Sequence, residues 1–235
     1  MIVDIVIPTR KREEKLYRCL DSIFEQRQDW VRVTVYMDTH GDIVRFREMF
    51  QPAWWMGQVV FEVIPFEYEA ARLWNHHLRS MGADGMLYLN DDVTLVPGSL
   101  KVLVQDYTLA FPKNDGVMGL LQRNLAGRFD IAPAAFGLVG VNFAKRFPAR
   151  RVFCPDYKHL YIDRELEICA KAVGKFEITG AALDHWHPCT DATLLDETHL
   201  NIRRFKEVDM RTWQTRQRMG LVWGLSFELI NGKPA

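Results

Sequence analysis

Apolar and polar residues fall in blocks along the first part of the chain, and the period within the blocks switches between that of a strand and that of a helix. The opening "IVDIVIP" is β-branched and almost wholly apolar, which marks a strand buried on both faces. Behind Thr9, a residue suited to capping a helix, Leu16, Cys19, Leu20, Ile23 and Phe24 recur at helical spacing. "VRVTVYMD" alternates as a strand and stops at Asp38 before the turn signal "THGD". A helical pattern from Asp42 to Phe50 leads to a third strand, "VVFEVIPF". "YEAARLWNHHLRSM" puts Ala71, Trp74, Leu78 and Met81 on one face, with Gly82 as its stop. A fourth apolar strand then delivers the chain to Asn90-Asp91-Asp92. This β-α-β-α-β-α-β order predicts a parallel sheet with right-handed crossovers and helices on both faces.

The second half is less regular. "SLKVLVQDYTLAF" reads as a helix, and "GVMGLLQ" and "AFGLVGVNFA" read as strands. "DRELEICAKAVG" is a helix with Leu166, Cys169, Ala170 and Val173 on one face and Gly174 as its stop. "FEITGAALDHWHP" is a strand ending in two histidines, and Asp196 to Met219 is charged and helical. "LVWGLSFELI" is a candidate last packing element.

Composition narrows the partners. Apolar residues make up 48% of the 235 residues and charged ones 26%, the proportions of a globular protein with a sizeable core. Thirty basic residues balance thirty acidic ones, so no global field recruits nucleic acid or an anionic membrane. The four cysteines contain no C-x-x-C pair, and the N-terminal segment has no signal-peptide pattern. No apolar run is long enough for a transmembrane helix. A cytoplasmic protein is expected.

The chemistry starts at the acidic pair. Adjacent carboxylates at the rim of a core repel each other and lose solvation. A positive charge is therefore expected beside them, foremost a divalent cation with oxygen ligands. The plain alternative is a solvated acidic turn in which Asp92 caps the next element. In parallel α/β sheets ligands sit outside the carboxyl ends of the strands. Thr9 with Arg10, Asp38, and Asp91 with Asp92 all fall at that one edge.

Four blocks in order resemble family-2 glycosyltransferases. "DIVIPTRKREEKLYRCLDSIFEQ" resembles that family's opening strand and helix, and "EAARLWNHHLRSMGADGMLYLNDD" its second block, which ends in a D-x-D-type metal motif. "YIDRELEICAKAVGKF" is similar to the block that carries the catalytic base, and "LDHWHP" to the strand-end histidine. The first metal-motif position is Asn90 rather than aspartate, Ile162 stands where an acid is frequent, and Lys11 where Asn is common. The resemblance implies a GT-A type, Rossmann-like α/β fold. It divides the chain into a glycosyltransferase domain over 1–195, with a nucleotide-sugar half at 1–97 and an acceptor half at 98–195, and a helical extension over 196–235.

The resemblance also implies roles. Asp92 is the expected ligand of Mn or Mg, completed by His185 or His187, which lie at i and i+2 on one strand face. Asp91 is expected at the ribose or a metal-bound water. Pro8, Thr9 and Asp38 would meet the nucleotide base, Arg72 the diphosphate and Asn75 the donor, with a surface arginine and a backbone brace as the plain alternatives for those two, and Arg10 and Arg12 as auxiliary contacts. Asp38 suits uracil or guanine, and a UDP-sugar is expected ahead of a GDP-sugar. Asp163 is the expected general base, with Glu165 in reserve; an N-cap and a solvated first-turn acid are their plain alternatives. The acceptor is left open among saccharides, lipids, proteins and modified bases. The basic clusters "KRFPARR" and "RRFKEVDMRTWQTRQR" would suit a phosphate-bearing or nucleic-acid acceptor, or more simply a solvated loop and a charged helix face. Three other readings compete. A nucleotide-sugar-binding module without turnover would keep Asp38 and Asp92, a zinc site would use Cys189 and Asp191, and a nucleotidyltransferase would need a Gly-rich loop that "PTRKREEK" lacks.

Overall fold

The long apolar blocks form strands because only a sheet covered on both sides hides every residue of such a run. In the computed structural model, which describes residues 1–51, 53–65, 67, 69–125, 133–188 and 191–225, the first half alternates as the pattern predicts. Its elements are β1 (Val3–Pro8), α1 (Glu13–Phe24), β2 (Val31–Met37), α2 (His40–Phe50), β3 (Val59–Val63), α3 (Ala70–Ser80) and β4 (Gly85–Tyr88). The second half adds β5 (Val93–Leu95), α4 (Ser99–Ala110), β6 (Val117–Gln122), β7 (Gly137–Gly140), α5 (Val141–Ala144), α6 (Ile162–Ala172), β8 (Phe176–His185), α7 (Glu197–Arg203) and α8 (Lys206–Arg218).

These strands make one sheet in the order β3-β2-β1-β4-β7-β6-β8-β5. The first four are parallel. β7 runs antiparallel to both β4 and β6, β8 is parallel to β6, and β5 is antiparallel to β8. Period-2 alternation splits the core between two faces: Ile5 and Ile7 pack with α1 and α2, while Val6 packs with α3 and α6. No described helix is long and apolar enough to cross a membrane.

Three local departures have physical causes. α1 starts at Glu13 rather than just behind Thr9, because the Thr9 hydroxyl bonds to Asp91 instead of capping; Glu13 and Glu14 meet the helix dipole. The strand expected to run through "VGVNFA" stops at Gly140, where a Cβ would collide with the Tyr107 hydroxyl and the Asn114 carbonyl, and the chain turns into α5. The charged tail is two helices, α7 and α8, rather than one. Of "LVWGLSFELI", residues 226–230 lie outside the described residues.

The stretch expected as an extension is knitted into the core. Asp209, Trp213 and Arg216 follow one another at i, i+4 and i+7 on one face of α8. The buried Asp209 carboxylate accepts the backbone N–H groups of Lys158 and His159, each at 2.8 Å, and Leu160 at 2.7 Å. Trp213 stacks on Tyr161, with centroids 5.4 Å apart and planes 12° from parallel. Arg216 donates to Glu165 at 2.5 Å and to Asp156 at 2.6 Å.

Candidate active site

Strand register brings the site together. Val6 pairs with Tyr88, so Thr9 and Asp91, each three residues further along parallel strands, arrive side by side. The Thr9 hydroxyl donates to Asp91 Oδ2 at 2.6 Å. Val93 pairs with His185 in the antiparallel β5–β8 ladder, which sets Asp92 beside the end of β8; its carbonyl accepts the Trp186 N–H at 2.8 Å. The chain turns at Asp91-Asp92, so both carboxylates face the same cleft.

The positive charge beside the acidic pair belongs to Arg12. Its Nη1 lies 2.7 Å from Asp91 Oδ1 and 3.2 Å from Asp92 Oδ2, and its Nε donates to Asp196 Oδ2 at 2.8 Å. Lys15 adds a 2.6 Å contact to Asp196. Three carboxylates thus surround one buried guanidinium, whose charge offsets part of their desolvation and mutual repulsion. Burial opposes the Asp92 charge, but His185, His199 and Arg12 outweigh it and hold the carboxylate well below its ordinary range. Burial, reinforced by the neighbouring Asp92 charge, pushes Asp91 upward against the pull of Arg12.

One oxygen remains open. Asp92 Oδ1 is buried and receives no hydrogen bond of normal geometry; the nearest group is His185 Nε2 at 3.5 Å. His185 Nδ1 is 2.9 Å from Gln122 Oε1, a contact in which the ring N–H donates, and its Nε2 is turned toward Asp92. His199 is arranged alike, with Nδ1 2.7 Å from Asp196 Oδ1, but its Nε2 already accepts from Arg12 Nη2 at 2.9 Å. His187 lies between them, its ring centroid 5.1 Å from those of both His185 and His199. Burial and the adjacent His185 lower the His187 pKa to about 4, so its imidazole is neutral at pH 7.

A buried carboxylate oxygen that lacks a hydrogen bond and a ring nitrogen 3.5 Å from it are both groups able to bind a cation. Asp92 and His185 therefore fit a divalent ion that takes few protein ligands and completes its shell with phosphates and water. Among the described residues no three His, Cys, Asp or Glu side chains already converge on a metal-holding position.

The acidic pair opens into a cleft of about 390 Å³. Its lining also includes Asp163, in the first turn of α6, and Tyr161 two residues before it in left-handed conformation (φ 67°), which is uncommon for an aromatic residue and is held by the Trp213 stack. Burial pushes the Asp163 carboxyl above the ordinary carboxylate value. Trp74 forms part of the wall, and its buried Nε1–H has no protein acceptor among the described residues.

Solved structures share this architecture. S. aureus TarS 1-349 superposes with a TM-score of 0.57 over 86% of this chain and 65% of that one, at 12% identity. The same protein in complex with UDP-GlcNAc gives 0.56 over 78% and 57%, at 14% identity. GalNAc-T7 with UDP, GalNAc and Mn2+ gives 0.57 over 79% and 44%, at 9% identity. The fold is that of GT-A glycosyltransferases. The chain spans less than two thirds of the length of these neighbours. No family model and no curated protein matches it in sequence.

Within that fold, the expected residues divide cleanly. Pro8, Thr9, Arg10, Arg12, Asp91, Asp92, Asp163, His185 and His187 line the one cleft. Asp38 lies behind them, its Oδ2 paired with Arg10 Nε at 2.8 Å. Three others stand outside the cleft lining. Arg72 is exposed on α3 and does not line the cleft, because its position faces solvent while Leu73 and Trp74 face the core. Asn75 is buried and braces the backbone of Phe153, donating to its carbonyl at 2.7 Å and accepting from its N–H at 3.0 Å. Glu165 is locked as a structural anion by Arg216, the Tyr157 hydroxyl at 2.6 Å and the Trp223 N–H at 2.5 Å, with no oxygen offered to a substrate. Cys189, the candidate zinc ligand, lies outside the described residues.

Sequence reasoning missed Asp196 and His199. The signal was present: Asp196 caps α7, and the residue three further on, whose N–H it accepts at 3.0 Å, is His199. That spacing alone orients the imidazole toward the cap carboxylate. Arg203 and Lys206, which also line the cleft, belonged to a basic cluster read chiefly as a solvated face.

Proposed function

We propose that the protein is an inverting, metal-dependent glycosyltransferase of the family-2 type, which moves a sugar from a nucleotide-diphosphate donor to an acceptor hydroxyl. The observation that carries the reading is the placement, in the lining of one cleft, of an open Asp92 oxygen beside His185 and a half-buried Asp163 of raised pKa. The neighbours solved with UDP and UDP-GlcNAc support a UDP-sugar donor ahead of a GDP-sugar. Pro8, Thr9, Asp38 and Arg10 would meet the nucleotide at the strand ends, and Asp91 the ribose.

Asp92 and His185 would hold Mn or Mg, with His187 the alternative imidazole on the same strand end. When bound, the ion neutralises charge on the departing diphosphate. Asp163 accepts the acceptor's hydroxyl proton as the oxygen forms its bond to the anomeric carbon. The bond from that carbon to the diphosphate breaks in the same displacement, and its electron pair leaves with the diphosphate. A base raised above the ordinary carboxylate value is better matched to that proton transfer at neutral pH. The buried thiols Cys19, Cys154 and Cys169 suit a reducing cytoplasm.

The test is calorimetric titration of UDP, with and without Mn, into wild type and Asp92→Ala, followed by a UDP-GlcNAc hydrolysis assay on wild type and Asp163→Asn. UDP binding that needs both Mn and Asp92 is expected. Asp163→Asn should lose about 10²–10⁴-fold in turnover while binding UDP normally. Metal-independent binding would remove the metal from the reading. Binding without any turnover in wild type would favour a nucleotide-sugar-binding module.

A further inference from the structure

Four cationic side chains line the cleft, and they divide into two pairs. Arg10 is matched by Asp38, and Arg12 by Asp91, Asp92 and Asp196. Among the described residues Arg203 and Lys206 have no carboxylate partner. They stand three positions apart where α7 passes into α8, so two uncompensated positive charges face the same cavity.

Their place in the cleft separates them from the donor. α7 begins at the acidic pair, where Asp196 and His199 contact Arg12; Arg203 follows His199 by one helical turn, roughly 6 Å along the axis, and Lys206 lies three residues beyond it. Lys206 lies one turn before Asp209, whose carboxylate holds the backbone of Lys158, His159 and Leu160. That loop runs directly into Tyr161 and Asp163. Along the chain the two cations thus lie between the acidic pair, where the donor diphosphate is expected beside Asp92, and the loop that leads into Asp163, where the incoming hydroxyl is expected.

We propose that Arg203 and Lys206 form an anion subsite for the acceptor, so that the acceptor carries a phosphate or carboxylate close to the hydroxyl that receives the sugar. This inference rests on the glycosyltransferase reading and names the acceptor class within it. The Arg203 fork is suited to paired anionic oxygens, and Lys206 adds a point charge.

The experiment compares glycerol, glycerol 3-phosphate and glycerate as ligands of the full chain saturated with UDP and Mn, by ligand-observed NMR, in wild type and in Arg203→Gln/Lys206→Gln. Saturation with UDP closes the diphosphate position, so any anion binding must occur elsewhere. At least one anionic probe should bind about tenfold or more tightly than glycerol, which corresponds to one charge-assisted hydrogen bond. The stronger of the two probes tells phosphate from carboxylate. The double variant should lose that preference and keep the wild-type UDP affinity. Equal binding of all three probes, or a preference that survives in the double variant, overturns the proposal while leaving the donor reading intact. A wild type that binds no UDP overturns the donor reading itself, and the acceptor inference with it.

Discussion

The two halves of the cleft are built by opposite means. On the donor side, Thr9, Asp38, Asp91 and Asp92 stand at the ends of adjacent parallel strands, and backbone register alone puts them together. On the base side, Asp163 begins a helix that comes after a strained loop, and that loop is held by side chains of α8 more than forty residues later in the chain. Backbone ladders tolerate the loss of one side chain. A brace of buried polar groups does not, because each group removed leaves a partner unsatisfied in a region of low dielectric.

The largest effect should come from breaking that brace at its ion pair. Arg216→Ala strands the Glu165 carboxylate, whose side chain is 1% exposed, and should cost about 3–5 kcal/mol in urea unfolding. A loss below about 1 kcal/mol would mean that the α8 contacts are not what fixes the base side. Asp209→Ala comes next, at about 1–3 kcal/mol, since three backbone donors lose their acceptor. Asp209→Asn keeps one acceptor oxygen and should recover part of that stability. In both variants turnover should fall further than UDP affinity, because the loop carries the base and not the nucleotide contacts. A proportional loss of both would erase the distinction between the two sides.

The smallest effect concerns pH. The Asp163 pKa is raised by burial, so the base is lost to protonation at a higher pH than an ordinary aspartate would be. The acidic limb of the rate profile should therefore lie above about 4. Asp92 and Asp196 are shifted the other way, and the stability they contribute through Arg12 is present above about pH 4 and lost as pH falls through their depressed values. Between the two limbs the protein should remain folded yet inactive, which activity and circular dichroism measured over the same pH series would check.

This contrast also governs what could be read from the sequence. Apolar periodicity exposed the first seven elements in order, and with them the strand-end residues of the donor side. The β5–β8 pairing that brings His185 to Asp92 was hidden, because a three-residue strand carries too little alternation to register. The acidic pair pointed to a positive neighbour, but a divalent ion and Arg12 answer the same electrostatic demand, and only coordinates separate them. Asp209 and Arg216 were illegible for a deeper reason. A buried charge on a mostly polar helix has the same sequence signature as a solvated one, since what distinguishes them is a partner far along the chain.

The late position of α8 in the chain bears on biosynthesis. Chains are made from the N-terminus, at about 5–20 residues per second, and fold as segments become available. The parallel strands of the donor side can pair once residue 88 has emerged. The loop before Asp163 must wait for residues 209–216. The growing chain therefore passes through an interval in which the strand-end side of the cleft has its partners and the Asp163 side does not, and the cleft is complete only when the last brace has been translated.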